Sequence, residues 1–248
     1  MGTRFTLHQF SEVFQIRNPA GQLYVLIGGQ AVNYWAERYL AAEPALKKHL
    51  PFTSEDIDFC GNREDVRHIA GQLKLVPEFP HKVAMTALAG AIPLRIGDWD
   101  TNIEIVRTIP GVTAGTVAAL AIEMEWNGKT IRVLDPVSLL ISKVELALTI
   151  SQAKRQDVGH LKILLFCVRG FLRELLREVE NGNVPAKAWL GAVNRLLKLS
   201  KSTRGRRAAK QFDIAWPELL PLSEITESKD RKISLFLEKQ LAGNNWPK

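Results

Sequence analysis

The sequence predicts an α/β (α+β) fold, in which a mixed sheet with its helices is followed by an all-helical, basic domain, with the boundary near Asp135. Three observations carry this prediction. Short apolar runs that end in glycine or alternate with acids fall in the first half. From Pro136 onward, apolar residues recur every three or four positions. The charge divides the same way: residues 1–110 hold 11 Lys+Arg against 12 Asp+Glu, and residues 111–248 hold 22 against 14, so the second half supplies all of the net +7. The expected domains are 1–135 and 136–248.

Taken in order, Tyr24-Val25-Leu26-Ile27 closed by Gly28-Gly29 reads as a strand and glycine turn, and Gln30 to Glu43 as a helix that Pro44 interrupts. Pro51-Phe52-Thr53-Ser54 leads into Glu55-Asp56-Ile57-Asp58-Phe59-Cys60, whose alternation of acid and apolar residues predicts a strand. A helix is expected from Arg63 to Leu75, then strands at Lys82 to Leu88, Pro93 to Ile96 and Asn102 to Val106. Asn127-Gly128 predicts a type I′ hairpin between Met124-Glu125 and Ile131-Arg132-Val133. Pro136 suits a first helical turn after Asp135, and the Leu161 to Leu176 spacing defines an amphipathic helix.

Composition excludes several classes. With 46% hydrophobic and 24% charged residues in 248, the chain is a globular protein of one large or two modest domains, not disordered, collagen-like or fibrous. No apolar stretch approaches the ~18 residues of a membrane span, so no membrane role is expected. The N-terminus lacks a signal-peptide pattern, and Cys60 and Cys167 have no zinc or disulfide spacing, which points to the cytoplasm. Met1-Gly2-Thr3-Arg4-Phe5-Thr6 fits the loose myristoylation pattern but has no second anchoring signal. His8, His49, His68, His81 and His160 show no ligand spacing, so structural or surface roles are their default, and Trp35 is expected in the core and Trp246 in a mobile tail. No P-loop or dinucleotide-binding glycine pattern is present.

The chemistry gathers on acids. Asp56 and Asp58 on a strand leave one face about 7 Å apart, near enough to share divalent cations, and Glu104 could add a third carboxylate from a neighbouring strand. Asp100, in Gly97-Asp98-Trp99-Asp100, rivals Glu104 for that place. Alone, an Asp-apolar-Asp triplet also fits a half-exposed strand. The Gly28-Gly29 turn changes the weighing, because small residues at a helix start let a polyphosphate approach backbone N–H groups. Phosphate cradle and carboxylate pair together describe a nucleoside triphosphate site.

These residues resemble the nucleotidyltransferase superfamily, and within it the AbiEii-type toxins of bacterial toxin–antitoxin and phage-defence systems. Leu26-Ile27-Gly28-Gly29-Gln30-Ala31 looks like their glycine motif, and Phe52 to Phe59 like their paired-acid motif. Ile103-Glu104-Ile105-Val106 with Ile109-Pro110-Gly111-Val112 resembles their third-acid strand, and Leu134-Asp135-Pro136 through Ser142-Lys143 the start of their helical half. The likeness spans residues 20–165, with two departures: a Gly29 to Asp56 interval lengthened around Glu37 to Pro51, and Glu104 where that group more often has Asp. The resemblance implies magnesium-dependent transfer of an NMP from an NTP, with Asp56 and Asp58 holding two Mg²⁺ ions and Glu104 ligating beside the attacking hydroxyl. It also implies that Gly28 and Gly29 pack against the triphosphate and that Lys143 meets the phosphates. Ser54 either touches a phosphate or caps the strand. Lys154 and Asp157 match a family Lys-Asp segment loosely, and a charged helix start accounts for them as well.

Arg195 to Lys210 carries seven cations without one acid, which fits a polyanion platform or a solvated helix face equally. Arg204, Arg206 and Arg207 are its candidate RNA contacts, so the expected acceptor is RNA; the resemblance further implies tRNA as that RNA and an antitoxin protein as a possible partner. The alternatives are transfer to a small-molecule or protein hydroxyl, and a catalytically silent nucleic-acid or antitoxin-binding module.

Overall fold

The structure is a computed structural model that describes residues 3–153 and 155–241. The expectations for Lys154, Trp246 and the Met1-Gly2 pair lie outside the described residues.

β1 (Val25–Ile27) runs without a loop into α1 (Gly28–Tyr39). Then come β2 (Ile57–Cys60), α2 (Arg63–Leu73), the hairpin of β3 (Leu88–Ile96) and β4 (Trp99–Val106), α3 (Ala114–Leu120), and the hairpin of β5 (Ala121–Trp126) and β6 (Lys129–Leu134). The rest of the described chain is helical: α4 (Pro136–Thr149), α5 (Asp157–Glu180), α6 (Ala186–Lys201), α7 (Thr203–Phe212), α8 (Leu222–Thr226) and α9 (Arg231–Phe236). The mixed α/β half followed by helices is as the sequence predicts.

The strands form one sheet in the order β3-β4-β2-β1-β6-β5. β1 pairs antiparallel with β2 and parallel with β6, and β2 pairs parallel with β4. All three residues of the central β1 are buried, whereas β2 buries Ile57 and Phe59 and leaves Asp58 and Cys60 half-buried. That alternation turns Asp58 away from the core. Asn127 and Gly128 take positive φ values of 49° and 72°, as a type I′ turn requires. Pro93 lies inside β3, which is tolerable because β3 is an edge strand and a missing N–H there breaks no second ladder.

α5 buries Leu161, Leu164, Val168, Leu172 and Leu176 and packs against α1. At the crossing, a Cβ on Gly170 would stand 2.7 Å from the Tyr39 ring, so the glycine sets the helix separation. Trp35 is core, as expected, and its Nε1 donates to Leu134 O at 2.9 Å, tying α1 to the end of β6. Asp135 caps α4 through the N–H groups of Val137 and Ser138. Its carboxylate also accepts from Arg195 on α6, so this cation of the basic stretch is an internal tie.

Several boundaries differ from the sequence reading. α1 begins at Gly28 and ends at Tyr39, and the chain continues as a 3₁₀ turn at Pro44–His49. Buried Glu43, paired with Arg169 and Arg173 of α5, fixes that departure. Lys82 to Ala87 is turn and coil, and one long strand, Leu88–Ile96, replaces the two expected. Asp56 precedes β2 rather than lying within it. α3 was not expected. No described helix is long and apolar enough to cross a membrane.

Candidate active site

At the C-terminal end of β1, Ile27 stands opposite Asp58 of β2. Gly28 then turns with φ +66°, a conformation in which an L side chain is strained, and a Cβ on it would lie 1.8 Å from Asp58 Oδ2. A Cβ on Gly29 would lie 2.2 Å from Ser54 Oγ and 2.9 Å from His160 Cε1. The glycine pair therefore has a structural reason to be there that the sequence did not disclose: it makes room for Asp58, Ser54 and His160 around the helix start.

Parallel pairing of β2 with β4 puts Glu104 directly beside Asp58. Ligand atoms of Asp56, Asp58 and Glu104 all lie within 4.8 Å of one another. Asp100 is elsewhere, exposed opposite Arg95 on the β3–β4 hairpin. Burial, then the charges of Asp56 and Glu104, push the Asp58 carboxyl well above its usual range. Burial also raises Asp56, and burial followed by the Asp56 charge raises Glu104.

The acids form one side of a cleft of about 230 Å³, which Gly29, Ser54, Lys143, Arg155, Gln156, Asp157 and His160 complete. Ser54 is buried, and its Oγ donates to Asp56 Oδ1 at 3.4 Å, so it faces the site rather than capping a strand. Lys143 of α4 is buried, not a surface lysine, with Nζ 2.7 Å from Asp157 Oδ1. Arg155 Nε donates to Asp157 Oδ2 at 2.5 Å. Burial pushes Asp157 up, but the Lys143 charge and the Arg155 hydrogen bond outweigh it and hold the carboxyl below its ordinary value.

Asp157 thus takes both cations of the cleft. Among the described residues, no Lys or Arg forms an ion pair with Asp56, Asp58 or Glu104. Three carboxylates crowded together and left unpaired beside two cations that are paired elsewhere form a donor set suited to divalent cations, whose hard charge prefers carboxylate oxygen. The residues fit a divalent-cation site on this observation. The opposite wall carries Lys143 and Arg155.

Asp157, which a charged helix start could explain, is a buried member of the site, and so is His160, for which a structural role was the default. Arg155 and Gln156 were not foreseen. One signal was available: Lys143 falls on the apolar stripe Leu139, Leu140, Val144 and Ala147, so a helix burying that stripe also buries the lysine and demands an acid nearby.

The basic stretch lies apart from the cleft lining. Arg204 pairs with Glu145 at 2.7 Å, and Arg195, Lys198 and Arg204 line a separate cavity between α4, α6 and α7. Arg206 and Arg207 are exposed on α7.

Compared with known proteins, the chain is similar to the crystal structure of an antigenic nucleotidyltransferase-like protein from Paracoccidioides brasiliensis, at 13% identity and a TM-score of 0.37, over 58% of this chain and 66% of that one. The chain therefore spans just under two thirds of that protein's length. No protein-family model and no curated protein matches it.

Proposed function

We propose that this protein is a metal-dependent nucleotidyltransferase that moves an NMP from an NTP to a hydroxyl of RNA. The observation that carries the reading is the division of the cleft: three carboxylates within 4.8 Å of one another and without an ion-pair partner among the described residues on one side, and Lys143 and Arg155, held by Asp157, on the other. Divalent ions bound by Asp56, Asp58 and Glu104 would neutralise the triphosphate and the departing pyrophosphate.

The chain's own residues supply position and charge. Lys143 and Arg155 attract the β- and γ-phosphate oxygens, and Asp157 fixes both side chains before the substrate arrives. Gly29 lines the cleft at the start of α1, so the positive end of that helix would favour the phosphates. Glu104, beside Asp58 on the neighbouring strand, would help hold the divalent ion next to the acceptor hydroxyl, whose lowered pKa lets its proton pass to solvent. The hydroxyl oxygen bonds to the α-phosphorus as the bond to the β-phosphate oxygen breaks, and pyrophosphate leaves.

The RNA acceptor rests on the exposed cations Lys198, Lys201, Arg206, Arg207 and Lys210. The motif likeness to AbiEii-type toxins extends this reading to tRNA as acceptor, to a toxin role and to an antitoxin partner. The second reading, transfer to a protein or small-molecule hydroxyl, draws on Arg195 and Arg204 being engaged by Asp135 and Glu145. Incubation with α-labelled NTPs, Mg²⁺ and total RNA, beside a protein-only reaction, separates the two. Label in RNA supports the first reading, label confined to protein supports the second, and label in neither, with any acceptor offered, contradicts nucleotidyl transfer.

A further inference from the structure

A second cavity, of about 680 Å³, opens beside the acid cleft and shares Arg155, Gln156 and His160 with it. Arg4, Asn33 and the residues from His49 to Thr53 line the remainder together with Gly159 and Ile163. Two of its side chains are buried polar groups that lack partners among the described residues: Asn33 at its Oδ1 and His160 at both ring nitrogens. Buried polar atoms are nearly always bonded, so three unbonded ones on two residues of one cavity lining mark this wall as the place where partners are missing.

The surrounding network fixes what these atoms offer. Gln30 Nε2 donates to Phe5 O at 3.0 Å, which leaves Gln30 Oε1 as the acceptor for Asn33 Nδ2, also at 3.0 Å. Asn33 Oδ1 is therefore a pure acceptor whose orientation cannot be flipped without breaking that chain. Thr53 O, which accepts from Gln156 Nε2 at 3.3 Å, faces the His160 ring without completing a hydrogen bond to it. Burial, and then the Lys143 charge, push the His160 imidazole down to about 3, so the ring is neutral and presents one N–H and one bare nitrogen. Acceptor, donor and acceptor among apolar neighbours such as Phe52 and Ile163, with Arg4 and Arg155 also on the lining, match a planar heterocycle with an N–H edge carried on a phosphate.

We propose that this cavity is a nucleobase subsite and that Asn33 and His160 choose among the bases. The inference rests on the nucleotidyl-transfer reading and adds to it the residues that set specificity. The base can belong to the NTP or to the terminal nucleotide of the acceptor, since both present the same edge.

The test is equilibrium binding to the full chain and to Asn33→Leu and His160→Phe, with Mg²⁺ and three sets of probes: tripolyphosphate, the four NTPs, and four short RNA oligonucleotides differing only in the 3′-terminal base. Within one of the two base-bearing sets, the native protein should discriminate by about tenfold or more, the scale of one buried hydrogen bond left unmade, and each folded variant should reduce that to within about threefold. Asn33→Leu should bind tripolyphosphate as the native protein does. Preference among NTPs places the NTP base in the cavity, and preference among oligonucleotides places the acceptor base there. If the native protein binds all members of both sets within about threefold, or if the variants keep the native preference while melting cooperatively, the inference is overturned. Tripolyphosphate binding in that case leaves the transfer reading standing, whereas a failure of tripolyphosphate to bind with Mg²⁺ counts against the transfer reading itself. Should one variant not fold, the other decides.

Discussion

A β-carbon on Gly28 would lie 1.8 Å from Asp58 Oδ2, so the glycine and the carboxylate occupy positions that only the smallest residue permits. Gly28→Ala combines that collision with a φ of +66° and should destabilise the protein by roughly 2 kcal/mol or more, since the left-handed conformation alone costs an L residue about 1–2 kcal/mol. Urea denaturation measures it. Native stability in this variant would mean that the turn relaxes freely and does not hold Asp58 in place.

The acid cluster makes the metal-free protein less stable than it could be. Asp56, Asp58 and Glu104 all titrate above their ordinary values, so between those values and the raised ones the folded state binds more protons than the unfolded state. Their destabilising contribution is complete above the raised values and fades as the pH falls to the ordinary carboxylate range. Asp58→Asn should accordingly be more stable than the native protein at neutral pH without metal, by ~0.5–2 kcal/mol, with the advantage shrinking in acid. Adding Mg²⁺ or Mn²⁺ should raise the melting temperature of the native protein and leave the variant little changed. An equal shift in both would place the ions elsewhere.

Asp157 and Lys143 form a buried pair of unequal dependence. Removing Lys143 leaves Asp157 with Arg155, but removing Asp157 leaves the Lys143 ammonium buried with no hydrogen-bonding partner among the described residues. Asp157→Ala should therefore cost about 3 kcal/mol or more, and Lys143→Ala distinctly less. Because Asp157 titrates below its ordinary value, its stabilising contribution is full above that value and is lost as the pH falls through the depressed one. Equal losses in the two variants would show that Arg155 does not support Asp157 on its own.

For RNA binding, the exposed Arg206 and Arg207, which form no ion pair among the described residues, should matter more than the paired Arg204. Arg206→Gln and Arg207→Gln should each reduce the log-log salt slope by up to about 0.7 for a single-stranded phosphate contact, whereas Arg204, engaged by Glu145, should change it less. Affinity measured at several salt concentrations decides this. Unchanged affinity and slope in the Arg206 and Arg207 variants would make α7 a solvated face and move the protein-hydroxyl or small-molecule acceptor ahead.

Much of this site was legible because its signals are local. The Ile27-Gly28-Gly29 turn and the alternation around Asp58 mark strand ends within a few residues, and Glu104 shows itself by the same alternation. What escaped depends on contacts distant in sequence. Asp157 is 14 residues from Lys143, and the register of β4 against β2 decides between Glu104 and Asp100 as the neighbour of Asp58. The strand expected at Lys82 to Leu88 failed because local β preference has no sheet neighbour there, while Pro93 proved compatible with a strand because β3 is at an edge. The unsatisfied atoms of Asn33 and His160 were invisible, since such an atom can be recognised only when its neighbours are known.

The central claim is that the acid cleft breaks the bond between the α- and β-phosphates. The direct measurement is a pair of reactions with one NTP labelled at the α-phosphate or at the γ-phosphate, run with Mg²⁺ and total RNA on the native protein and on Asp58→Asn. Transfer of the α label alone, release of the γ label as pyrophosphate, and loss of both by at least about a hundredfold in the variant are the predicted results, on the scale of removing a group that stabilises the transition state. Transfer of the γ label, or the same α transfer in the variant as in the native protein, would contradict the account.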